Sequence, residues 1–210
     1  MKQLFIAVCM LVSTIGFSQS EKYMQTMGAT LQQMGSAKTG EEMIAVAQKF
    51  ERIGDAEKTQ WLPYYYAAIL KSRMSMMGVG GDKDATADQA SALIEKAEAI
   101  EKNNSEITCI KSMIATAKML VDPQARFMQY GMQATKFLEE AKKLDAANPR
   151  PYMLQAINLK ETPEQYGGGC KTAKPLAEKG LALYNAAKSI SPIHPNWGKE
   201  TVEEIINACK

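Results

Sequence analysis

One apolar stripe recurs along this chain and restricts it to helix packed on helix. Met43, Val46, Ala47, Phe50 and Ile53 stand at i, i+3, i+4, i+7 and i+10. Ala90, Leu93, Ile94, Ala97 and Ile100 repeat the template. So do Ala134, Phe137, Leu138, Ala141 and Leu144, and again Ala173, Leu176, Ala177, Gly180 and Leu183. Each set lies on one face of a 3.6-residue period and predicts an amphipathic α-helix. The bare stripe fits any such helix, but its small residues say more. In the last three copies the first position is Ala and the fourth is Ala or Gly, which lets a neighbouring helix approach closely. No segment sustains the alternation of β-branched and polar residues that a strand needs.

Between the copies the pattern predicts further helices, from Trp61 to about Met77, from Ser105 to Val121 and from Pro151 to about Lys160. Turn chemistry separates them. "MGVGGDKD" (77–84) reads as a loop. "VDPQAR" (121–126) offers Asp122 as N-cap and Pro123 at the first helical position. "DAANPRP" (145–151) ends one helix and begins another. In "EQYGGGCKTA" (164–173), Gly167, Gly168 and Gly169 permit positive φ, Thr172 is expected to cap the next helix, and Tyr166 to pack back on the preceding one. The G-x-x-x-x-G-K-[ST] order of a phosphate loop is absent, which favours a structural turn. "SPIHPNWG" (191–198) breaks the last long helix, and Lys199–Cys209 is expected to form a terminal one.

The first twenty residues, "MKQLFIAVCMLVSTIGFSQS", place one cation before an apolar run and small polar residues after it, the pattern of a secretory leader. Cleavage is expected after Ser20, with Ser18 as the alternative. The run is shorter than the roughly 20 residues of a membrane-spanning helix. The expectation is a soluble exported protein, periplasmic or secreted, with no membrane span. Cys109, Cys170 and Cys209 remain beyond the leader, an odd number. In an oxidising compartment this suggests one disulfide and one buried thiol. A Cys170–Cys209 bridge would pin the terminal helix. Cys109, beside Ile110 and Met113, reads as buried. The net charge of +2 supplies no concentrated basic face for nucleic acid.

"FLEEAKKLDAANPRPY" (137–152) resembles the second-helix ending and inter-repeat turn of a tetratricopeptide (TPR) repeat. "FERIGDAEKTQWLPYYYAA" (50–68), "VDPQARFMQYG", "ANPRPYMLQAINLKETPEQYGGGCKTAKPLAEKGL" and "HPNWGKE" resemble exported TPR-like proteins of Gram-negative bacteria. The resemblance implies an all-α fold, an α-α superhelix of antiparallel helix pairs over residues 21–210 with a C-terminal capping helix. It also implies protein interaction rather than catalysis. The loops are longer and the repeats less regular than in the standard TPR pattern.

The functional expectation is a non-catalytic exported scaffold that binds a protein or peptide of unknown identity, without a cofactor. On it, Tyr64 and Lys71 lie seven residues apart on nearly one helix face, and Lys111 and Lys118 repeat that spacing. They would offer an aromatic contact and charge-assisted bonds to carboxylates; alternatively, the lysines solvate a convex face. At least one of Tyr64, Tyr65 and Tyr66 is expected to reach solvent or a groove. A second reading is a metal-handling protein using the thioethers of Met74, Met76, Met77, Met128 and Met132. Against it, methionine commonly fills gaps between helices. A third is an enzyme with an unrecognised site. His194, the only histidine, has no H-x-x-x-H or C-x-x-C partner, and no nucleophile–base–orienter signature appears.

Overall fold

A computed structural model describes residues 21–210; the expected leader, residues 1–20, lies outside the described residues. The described chain is all-α, with no strand. Helix α1 occupies residues 21–36. It is followed by α2 (Gly40–Glu57), α3 (Leu62–Met77), α4 (Lys83–Ile100) and α5 (Ser105–Met119). A short α6 (Pro123–Arg126) runs through a π-helical segment, Phe127–Gly131, into α7 (Met132–Leu144). Then come α8 (Arg150–Glu161), α9 (Cys170–Ala186) and α10 (Lys199–Ala208).

Local chemistry sets the helix starts. Thr39 and Glu42 form a reciprocal capping box on α2. Asp82 and Asn104 accept backbone N–H bonds at the starts of α4 and α5. Asp122 caps α6 with Pro123 following it, as the turn pattern predicts. Thr172 does not cap α9: that helix already begins at Cys170, and the Thr172 hydroxyl donates to the Gly169 carbonyl. The three glycines divide their work. Gly167 and Gly169 take positive φ. Gly168 instead passes so close to Thr162 that a Cβ would stand 2.0 Å from its carbonyl oxygen.

Short connections make α3, α4 and α5 antiparallel neighbours. Ion pairs report the register: Lys111 of α5 meets Glu98 of α4, and seven residues on Lys118 meets Asp88. Hence α3 and α5 run the same way, and their C-terminal ends share one end of the molecule. Helix α3 lies at the centre, with residues 62–70 all buried. That corrects the expectation for the tyrosines: Tyr64, Tyr65 and Tyr66 are all buried, because the first half of α3 is covered by α2, α4 and α5 and by Ile193 and Trp197 of the segment before α10.

The small residues of the stripe mark close approaches. Ser105 and Ser112 of α5 donate to the backbone carbonyls of Ala141 and Ala134 of α7, at 2.8 and 2.9 Å. A larger side chain at either alanine would hold the helices apart. Two apolar clusters result, one around Phe50, Tyr65 and Leu70 and one around Leu138, Met153 and Val202, with Met113 and Trp197 packed against both. Cys170 and Cys209 form a disulfide that joins the start of α9 to the end of α10, and Cys109 is free and buried. Closing a loop with a sequence separation of 39 stabilises by about 4 kcal/mol on chain-entropy grounds.

Candidate functional site

The four residues expected to form a binding surface all have partners within the fold. The Tyr64 hydroxyl donates to Asp55 at 2.8 Å, and its ring lies against Gly54, where a Cβ would come within 2.7 Å of it. Lys71 donates to Gln89 at 2.7 Å and stands 3.9 Å from Glu51. Lys111 pairs with Glu98, and Lys118 with Asp88 at 2.7 Å. These side chains therefore tie α3 and α5 to α2 and α4.

A buried polar hub joins the two clusters at the N-terminal ends of α3, α5 and α8. Arg150 donates to Glu106 at 2.8 Å. Tyr65 donates to the other oxygen of the same carboxylate, also at 2.8 Å. Trp197 Nε1 donates to the Tyr65 hydroxyl at 3.0 Å. The Arg150 guanidinium lies 5.2 Å from the Trp197 ring centroid and 5.9 Å from that of Tyr184. Tyr66 donates to the Ile193 carbonyl and Tyr184 to that of Trp197. Burial, reinforced by the charge of Glu106, holds the Tyr65 phenol well above its usual range; burial raises Tyr66 and Tyr184 too. His194 stacks edge-on to Trp61 at 5.9 Å, and desolvation lowers its pKa. The hub thus fastens the 187–198 segment over the bundle. Apart from Arg150 Nε, which is buried without a hydrogen-bond partner, the side-chain groups named here bond to one another or to nearby carbonyls, and the hub acts as a clamp.

The opposite end differs. Phe127, Met128 and Met132 are exposed to 54%, 72% and 58%, and Leu120 to 42%. Such side chains normally go inside, and three of them, Phe127, Met128 and Met132, fall within six residues of chain. The π segment adds Phe127 to this exposed set: its wider turn rotates that ring off the buried stripe that begins at Ala134, whereas Met128 and Met132 lie off the stripe at either period. Gly131 lets the parts close up: a Cβ there would lie 2.9 Å from the Phe127 ring and 3.1 Å from Met119 Sδ. Arg126 anchors the segment through a two-bond pair with Asp84, at 2.6 and 2.9 Å, and a bond to the Lys118 carbonyl. An exposed apolar shelf of two thioethers and one aromatic ring results. π segments of this kind recur at functional sites.

Sequence reasoning names Met128 and Met132 only as candidate thioether ligands and misses Phe127, Leu120 and Gly131. A signal was present in "RFMQYGMQ", where apolar residues at 127, 128, 130 and 132 cannot share one helical stripe. Tyr166 was expected to pack on the preceding helix and is instead 74% exposed, because its short 3₁₀ turn points the ring outward. Among the described residues, no group of three or more His, Cys, Asp or Glu is arranged to hold a metal ion.

No family model matches the chain, TPR models included, and no curated protein matches it. Among solved structures, the HusA haemophore from Porphyromonas gingivalis is 33% identical, with a TM-score of 0.78. The match covers 90% of this chain and 92% of that one. This overturns the expectation of a protein- or peptide-binding scaffold with an unknown ligand, because a haemophore is defined by a haem ligand. The relative is a binding protein rather than an enzyme. At that identity and mutual coverage, this chain belongs to the family of the HusA haemophore.

Proposed function

We propose that this protein is an exported haem-binding protein that takes the tetrapyrrole on the shelf around Phe127, Met128 and Met132. The observation that carries the reading is the 33% identity to a haemophore across nearly the full length of both chains. The shelf supplies chemistry suited to that cargo. A tetrapyrrole is broad, flat and largely apolar, so it gains most from an apolar surface from which water can be expelled, at about 25 cal/mol per Å². Thioethers conform to an aromatic face and attract it, and the Phe127 ring can stack on it. Export is supported by the leader pattern of residues 1–20 and by the Cys170–Cys209 disulfide, which suits an oxidising compartment. No described helix is long and apolar enough to cross a membrane.

His194 does not serve this shelf. It stands by Trp61, at the start of α3, whereas the shelf adjoins the end of α5, about 20 Å along the bundle axis at the rise of an α-helix. Titration of the purified protein with haem, followed by the Soret band, tests the reading. Saturable binding is expected, with an unchanged midpoint in His194→Ala. Absence of a saturable change in the wild-type protein would overturn the proposal. A His194→Ala variant that no longer binds haem, while still folded, would move the site to the other end of the molecule.

A further inference from the structure

The shelf has a cation at one edge, and this gives the bound ring a direction. In an unbroken α-helix, residues eight apart drift around the axis by about 80°. A π turn, with its i→i+5 bonds, holds about 4.4 residues and turns back by roughly 30° over four of them. Met128 lies in the π segment, and Met132 and Lys136 follow at intervals of four in α7. The π drift nearly cancels the α drift, so the three side chains fall roughly in one row along the helix. That row spans about 12 Å at most. It is apolar over its first two members and cationic at its third.

Lys136 is also free to act. It is exposed and, among the described residues, has neither an ion-pair nor a hydrogen-bond partner. The neighbouring cations differ: Arg126 is engaged by Asp84 and Lys118 by Asp88. Haem is apolar over most of its face and carries both carboxylates on one edge. We propose that Lys136 takes that carboxylate edge, so that the ring lies over Met128 and Met132 with its propionates directed along α7. Lys136 is then a specificity determinant that distinguishes tetrapyrrole acids from their esters. The assignment rests on the haem reading above.

Its test uses the full chain, two ligands and two variants. Haem and haem dimethyl ester, which lacks the carboxylate charges, are titrated against the wild type, Lys136→Ala and Lys136→Glu. The substitutions are at a solvent-facing position and should leave thermal unfolding unchanged. For haem, Lys136→Ala should weaken binding about three- to tenfold, the range of a partly exposed charge-assisted pair. Lys136→Glu should weaken it further, and the differences should shrink as salt is raised. For the ester, neither variant should differ from the wild type. Haem binding undiminished in Lys136→Ala, or equal losses for acid and ester, overturns the assignment while leaving the haem reading intact. Failure of the wild-type protein to bind haem overturns both.

Discussion

Replacing Arg150 with methionine is expected to destabilise the protein by about 3–5 kcal/mol, the cost of removing one partner from a buried ion pair. The side chains of Arg150 and Glu106 keep 7% and 16% exposure, so the lower half of that range applies. The mechanism is specific. Without the guanidinium, the Glu106 carboxylate retains only the Tyr65 hydroxyl bond in an apolar surround, and Trp197 and Tyr184 lose the cation between them. Loosening should begin at the 187–198 segment, which the hub fastens. Urea unfolding measures the total, and Trp197 fluorescence reports the local step. The double variant Arg150→Met with Glu106→Leu should recover much of the loss, because it removes both charges rather than stranding one. A single variant within about 0.5 kcal/mol of wild type, the range of ordinary surface substitutions, would show that the pair does not hold the clamp.

The second large effect is functional. The double variant Met128→Asp, Met132→Asp should keep the wild-type unfolding midpoint, since both side chains are already solvent-facing. It should nevertheless lose haem affinity by at least about a hundredfold, because each carboxylate must be desolvated against the ring, at a cost of several kcal/mol. Competition titration measures the loss, with thermal unfolding as the control. Affinity within about threefold of wild type, worth less than 1 kcal/mol, would take the shelf out of the haem site. Of the two predictions, the Arg150 variant probes the scaffold and the methionine variant probes its cargo face. The two sites lie at opposite ends of α5, so their effects should be additive.

The helices and their packing were largely legible because the information is local. A stripe such as Ala90, Leu93, Ile94 and Ala97 marks its own buried face, and Asp122–Pro123 marks its own helix start. Cys170 and Cys209 were also readable, since the leader pattern of residues 1–20 suggests an oxidising compartment and three cysteines beyond it leave few pairings. What stayed hidden depends on distant chain. Tyr65 meets Glu106, Arg150 and Trp197 only because α3, α5, α8 and the 187–198 segment converge. Nothing near "PYYYAA" indicates that all three rings are covered. The shelf was hidden for a different reason. Reading at a fixed period of 3.6 residues puts Phe127 on the buried stripe that continues at Ala134, and the π segment changes that period within one turn. The likeness to TPR proteins captured the helix-pair architecture. It pointed to the wrong kind of ligand, because architecture of this sort constrains function weakly.

The most direct test of the central claim is where the tetrapyrrole sits. Methionine methyl groups can be labelled with carbon-13 and followed by NMR while the protein is titrated with gallium protoporphyrin, a diamagnetic substitute for haem. Ring-current shifts are expected at Met128 and Met132, with a smaller one at Met119, and none at Met27 or Met153, which lie in the buried clusters. Saturable shifts at Met153 or at the His194 end, with Met128 and Met132 unmoved, would contradict the account.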